Sequence, residues 1–139
     1  MFRNLTFLQS LKISNFPKLK ELPNEPLSQA LKHLRITDCQ FESLPEEIWE
    51  SLPSLRSLQI DYCKGLRCFP EGIQHLISLE ILDIWNCNGL RCLPEGIRHL
   101  TSLESLRIQK CPTLKERCQE GTGEDWDKIA HIPKLIILY

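Results

Sequence analysis

Residues 63–86, "CKGLRCFPEGIQHLISLEILDIWN", and residues 87–110, "CNGLRCLPEGIRHLTSLESLRIQK", are identical at 16 of 24 positions. No other feature constrains the chain as tightly, because a period of this length means one structural unit laid down repeatedly. The spacing extends beyond the two copies. Leu11, Leu34, Leu58, Leu82 and Leu106 fall in one column, and Ile13, Ile36, Ile60, Ile84 and Ile108 in a second. Cys39, Cys63, Cys87 and Cys111 form a third, with Phe16 in its first place. Pro23, Pro45, Pro70 and Pro94 close four of the units.

Each unit reads L-x-x-L-x-I-x-x-C-x-x-L-x-x-L-P, the leucine-rich-repeat pattern with cysteine at its Asn/Cys position, and five units follow one another. In "SLEILDIWNC" the alternation turns Leu82 and Ile84 inward and Ile81, Asp83 and Trp85 outward, as in a short strand. One such strand cannot bury its apolar face alone. Stacked in parallel at about 4.8 Å per coil, the strands share a hydrogen-bond ladder and a leucine core. Gly65 and Gly89 are expected to serve the turn after the strand, and "LPEGIxHLxSL" to cross the back with little regular helix. The expected fold is an α/β solenoid, a right-handed superhelix of about 24-residue coils with its parallel sheet on the concave side.

The repeats occupy residues 1–118, and residues 119–139 form a C-terminal cap. Matching Ile132, Leu135 and Leu138 to Leu100, Leu103 and Leu106 gives an offset of 32, hence about eight inserted residues. Residues 119–127 then read as an acidic loop, with Trp126 over the core edge and a final strand at 135–139. At the other end Met1 starts almost directly on the first unit, so the chain is expected to be the tail of a longer solenoid.

Charge narrows the function classes. Seventeen basic against eighteen acidic residues leave a net charge of −1, which gives no electrostatic case for nucleic acid or an anionic membrane surface. The N-terminus lacks the apolar run of a signal peptide and no later segment reads as a membrane span, so the expected compartment is the cytoplasm. Seven cysteines are present, an odd number without a C-x-x-C pair. The single sequon, Asn4-Leu5-Thr6, carries little weight.

Three repeated columns imitate chemistry. Cys39, Cys63, Cys87 and Cys111 stack one coil apart, but a linear stack does not converge tetrahedrally as zinc requires; each thiol is read as filling the turn and facing a loop carbonyl. Cys68 and Cys92, with His75, His99 and His131, recur because the coil recurs, and no nucleophile, base and orienting group can be assembled from them. Glu46, Glu71 and Glu95 mark a solvated outer face rather than a glycosidase pair. No catalytic residue, cofactor or metal is assigned.

The outward strand positions differ in kind. Among the eight differences between the two copies are 81/105, 83/107, 85/109 and 86/110. The scaffold is kept there while the face changes. Its content suits recognition: Ile81 and Trp85 are large apolar groups facing water, flanked by Asp83, with Tyr62 one coil earlier. Arg35, Gln59, Asp61 and Arg107 complete the candidate protein-binding surface.

The repeats "LPEGIxHLxSLExLxIxxC" and the closing "EDWDKIAHIP" resemble the C-terminal end of plant nucleotide-binding leucine-rich-repeat immune receptors of the coiled-coil-bearing kind. The resemblance spans essentially the whole chain and is most specific at residues 87–133. It implies an intracellular disease-resistance role, with a pathogen effector, a guarded host protein or the N-terminal domains of a parent receptor as partner. No G-x-x-x-x-G-K-[ST] loop occurs in the chain, so nucleotide binding is not assigned to it. The alternatives are a free-standing small repeat adaptor, a structural terminus with intramolecular contacts, and a metal- or redox-responsive protein built on the Cys and His columns.

Overall fold

The computed structural model describes residues 9–14, 30–38 and 48–138. Among them six strands make one parallel sheet in chain order: β1 (Ser10–Ser14), β2 (His33–Thr37), β3 (Ser57–Asp61), β4 (Ile81–Trp85), β5 (Ser105–Gln109) and β6 (Lys134–Leu138). Strands that pair in chain order with no crossover are what a coiling chain lays down, each turn adding one strand beside the last. The leucine and isoleucine columns face each other rung by rung, Leu58 on Leu82 and Ile60 on Ile84. The inward residues Leu34, Leu58, Leu82 and Leu106 are fully or almost fully buried in one continuous core. Each such side chain stabilises the fold by about 2 kcal/mol.

The register corrects one expectation. Ser105 lies opposite Lys134 and Leu106 opposite Leu135, so the last advance is 29 residues, where Ile81 to Ser105 is 24. The insertion is therefore five residues, not eight, and the final strand runs from Lys134 to Leu138. Two apolar triplets share one spacing: Ile129, Ile132 and Leu135 repeat every third residue, as do Ile132, Leu135 and Leu138. The first is the one used. Ile129 takes the place of Leu100 and Ile132 that of Leu103, both buried, and Trp126 packs half-buried against the core as expected. His131 consequently leaves the histidine column, and Lys128 stands where His99 stands one coil earlier.

The backs of the coils are short. Among the described residues three 3₁₀ turns (Ile48–Ser51, Glu71–His75 and Glu95–His99) cross them. Pro70 and Pro94 hold the entries to the second and third at φ −70° and −73°. The cap replaces this with two short helices, α1 (Pro112–Arg117) and α2 (Trp126–Ile129). Among the described residues no helix is long and apolar enough to cross a membrane.

The turns that follow β2 to β5 are not made by glycine. Asp38, Tyr62, Asn86 and Lys110, the residues directly after β2 to β5, sit at φ 54°, 56°, 56° and 58°. A left-handed residue swings the chain off the sheet, at a cost of about 1–2 kcal/mol for a non-glycine residue. The ladder holds it there: Tyr62 N–H donates to the Trp85 carbonyl at 3.0 Å, and Asn86 N–H to that of Gln109 at 2.8 Å. Gly89 serves a different need, because a Cβ there would stand 2.5 Å from the Lys64 carbonyl oxygen of the previous coil.

Candidate functional site

Three outward rows cross the sheet. The middle row reads Lys12, Arg35, Gln59, Asp83, Arg107 and Ile136, and the row toward the turns reads Ser14, Thr37, Asp61, Trp85, Gln109 and Leu138. Every residue expected to form the binding surface lies on this face, but not every one is free on it. The aromatic centre assembles as two coils meet. Tyr62, thrown outward by its left-handed backbone, meets Trp85 with ring centroids 5.3 Å apart and planes tilted by 58°. Lys110, from the same turn position two coils on, places its ammonium 5.8 Å from the Trp85 ring, within cation–π reach. Tyr62 is 38% and Ile81 43% exposed, while Trp85 is half-buried. The indole N–H of Trp85 is buried and meets no acceptor among the described residues.

Asp61 departs from the outward pattern: it is fully buried. Arg35 closes over it as a fork, Nη2 donating to one carboxylate oxygen at 2.7 Å and Nε standing 3.5 Å from the other. Hydrogen bonding to Asp61 in turn holds the Arg35 guanidinium above its usual range. The pair is therefore a fixed strut across β2 and β3, and Arg35 alone presents its outer edge to solvent. Alternation put Asp61 on the correct side of the sheet; Arg35 closes over it there.

Asp83 stays half-exposed in the middle row, beside Gln59 and opposite Arg107. Burial pushes its carboxyl above the ordinary value, against the pull of Arg107. It is thus a poorly solvated carboxylate next to an aromatic pair, suited to accept a cationic group from outside.

Sequence reasoning passed over Lys110, which entered only as one of the differing positions, and Ile136 and Leu138, which extend the face with apolar groups. Leu138 is 45% exposed. The shifted register would have shown these two. Ile77, 70% exposed, lies outside the sheet in the loop before β4, opposite Thr101 of the next copy.

The described members of the buried cysteine column and of the glutamate column serve the scaffold. Cys63, Cys87 and Cys111 are buried; their sulfurs lie 3.4–3.5 Å from the carbonyls of Asp61, Trp85 and Gln109, and 3.8–4.0 Å from those of Ile36, Ile60 and Ile84 one coil back. The thiol knits two coils. Neighbouring buried thiols and desolvation raise the Cys87 group, which stays protonated. Cys39 and Glu46 lie outside the described residues. Glu71 is a coil-to-coil strap rather than a merely solvated acid, accepting from the N–H groups of Glu95 and Gly96 at 3.3 and 3.1 Å. His75 reaches Glu50 at 3.4 Å. Among the described residues no three or more His, Cys, Asp or Glu side chains converge as metal ligands would.

The cap holds the other unexpected centre. Asp125, expected in an acidic loop, is fully buried. It accepts from the Leu93 N–H at 3.0 Å, from Arg117 Nε and Nη2 at 3.0 and 3.1 Å, and from Lys128 Nζ at 2.9 Å. Lys128 also donates to the Leu93 carbonyl at 2.7 Å. Burial alone would raise the Asp125 carboxyl, but these bonds outweigh it and hold the group below its usual value.

A parallel sheet laid down in chain order by coils of about 24 residues, with leucine inside and cysteine at the turn, defines a leucine-rich-repeat protein. More narrowly, the chain belongs to the R13L1/DRL21 leucine-rich-repeat family, whose model matches residues 40–111. Among solved structures it is similar to the leucine-rich-repeat domain of the type III effector XopL, at 21% identity and a TM-score of 0.57. The match covers 94% of this chain and 53% of that one, so the chain spans about half the length of that structure. At this identity the likeness shows the fold. No curated protein matches the sequence.

Proposed function

We propose that the chain is a protein-recognition module whose sheet face, centred on Tyr62, Ile81, Asp83, Trp85 and Arg107, is the contact surface. The Tyr62–Trp85 pair beside exposed Ile81 carries this reading. Aromatic groups presented rigidly to water on a scaffold that does not need them there are the usual anchors of protein interfaces. Asp83 supplies a register point for a cationic side chain. The family and the closing "EDWDKIAHIP" support placing the module in a plant intracellular immune receptor, in the cytoplasm. Its partner there is a pathogen effector, a guarded host protein or the receptor's own N-terminal domains. The module works by binding, without a reaction of its own.

The test places a photo-crosslinking amino acid at position 81 or 74 of the chain expressed in plant cells. Adducts at 81 that disappear in Trp85→Ala and Asp83→Arg, with position 74 silent, support the face. Equal adducts at both positions, or adducts at 81 that survive both substitutions in a folded chain, would falsify it.

A further inference from the structure

The two cysteine columns share a spacing and have opposite surroundings. Cys63, Cys87 and Cys111 are sealed in the core, as is Cys118, which burial pushes up to about 12. Cys68 is exposed and Cys92 half-exposed. The chain runs past itself at this edge: Arg91 N–H donates to the Arg67 carbonyl at 2.9 Å, and Cys68 and Cys92 form an isolated parallel bridge. Residues facing each other across such a bridge have Cα atoms about 4.8 Å apart, inside the window a disulfide spans, and their side chains point the same way. The two sulfurs are 3.5 Å apart. Closing to the roughly 2.05 Å of a disulfide takes side-chain rotation together with a slight approach of the two coils. Parallel side chains keep their Cβ atoms near the same spacing as the Cα atoms, so rotation alone is not enough.

We propose that Cys68 and Cys92 are a redox-active thiol pair that closes into a reversible cross-coil disulfide by exchange with a low-molecular-weight disulfide such as oxidised glutathione. Cys68, the accessible thiol, loses its proton to solvent and attacks one glutathione sulfur. The glutathione S–S bond breaks, a mixed disulfide forms and one glutathione thiolate leaves. Cys92 then loses its proton and attacks the Cys68 sulfur, displacing the second glutathione thiolate. Two protein thiols are oxidised, one oxidised glutathione is reduced to two thiols, and the protons released end on the leaving thiolates. Burial and the adjacent Cys68 raise the Cys92 thiol, which fits the resolving rather than the attacking role. The bond would close a loop around β4, stapling both flanks of the strand that carries Ile81, Asp83 and Trp85. The proposal stands on thiol geometry alone and does not depend on what that strand binds.

The experiment equilibrates the full chain with graded ratios of oxidised to reduced glutathione and follows intact mass, peptide maps and melting. The expected product is a monomer lighter by two hydrogen atoms, with Cys68 linked to Cys92, the buried cysteines unmodified and the melting midpoint raised by roughly 5–10 °C. Cys92→Ser should trap a single glutathione on Cys68, and Cys68→Ser should leave the chain unoxidised at the same ratio. Phenylarsine oxide reports on the unaltered chain: one equivalent should bridge the two thiols with loss of water. No oxidation at any ratio, a linkage between other cysteines, disulfides only between chains, or failure to take up the arsenical would each overturn the proposal.

Discussion

The molecule has two kinds of seam. Where the coil of β4 meets the coil of β5, the contact is made by repetition: the two 3₁₀ turns pack on each other, Ile73, Leu76, Ile97 and Leu100 share one core, and Glu71 straps the next 3₁₀ turn. Where the cap docks, five inserted residues break that repetition, and one buried carboxylate bonds to three donor groups instead. Each kind of force appears where the shape of the next segment requires it. Apolar burial is non-directional and suffices when the next coil has the same shape. A segment of a different shape has to be placed by directional bonds, and those carry a heavy penalty when broken.

Asp125→Ala should therefore be the most damaging change at either seam. It leaves Lys128, the Arg117 guanidinium and the Leu93 N–H facing a vacancy, at about 3–5 kcal/mol. A fall of that size in urea-unfolding stability, with β6 amides losing hydrogen-exchange protection, is the expected result. Loss below about 1 kcal/mol would mean that the cap is held by Trp126 and Ile129 alone.

Acid should weaken the same seam without a mutation. Asp125 is held below its unfolded-state value of 3.8, so its contribution is complete above that pH and is lost as pH falls through the lower folded value. Asp83 has the opposite sign. Its folded value lies above 3.8, so its ionised form opposes folding and acidification relieves it. Acid unfolding of the wild type should begin at the cap, seen as early loss of Trp126 fluorescence in a Trp49→Phe, Trp85→Phe background. Asp83→Asn should leave that acid limb in place. A limb that persists in Asp125→Asn would assign it to other carboxylates.

Gly89→Ala tests how closely the repeated coils approach. A Cβ placed 2.5 Å from a backbone oxygen must push the Lys64 coil away, at about 1–3 kcal/mol. The exposed, left-handed Gly121 in the cap loop has nothing within 4 Å of such a Cβ, so Gly121→Ala should suffer only from its backbone angle, by about 1 kcal/mol. Equal effects, measured as denaturant midpoints, would show that the coils yield.

The two seams also differ in how far the sequence discloses them. Leu58, Leu82, Leu106 and their isoleucine partners announce the sheet, its inward face and its outward rows, because period and burial are the same fact seen twice. The left-handed turn is not legible: Asp38, Tyr62, Asn86 and Lys110 share a backbone angle and no chemistry. The cap register is ambiguous because two apolar triplets have one spacing. Asp125 and Asp61 read as surface acids, since what buries them comes from Arg117, Lys128 and Arg35, eight, three and twenty-six residues away. The aromatic centre was half visible, Trp85 by alternation and Tyr62 only by its neighbourhood.

Glu71→Ala should have the smallest effect, and it is the sharpest test of what repetition provides. The Glu71 carboxylate accepts from two N–H groups of the next coil but is itself exposed, so water replaces it at modest cost. A loss of about 0.5–1 kcal/mol is expected, in the range of a helix cap. Glu71→Gln keeps one acceptor oxygen and should recover about half. If instead Glu71→Ala costs as much as Asp125→Ala, the repeated seam depends on directional bonds as heavily as the cap does. The leucine columns would then set the shape of the coil without supplying most of its cohesion.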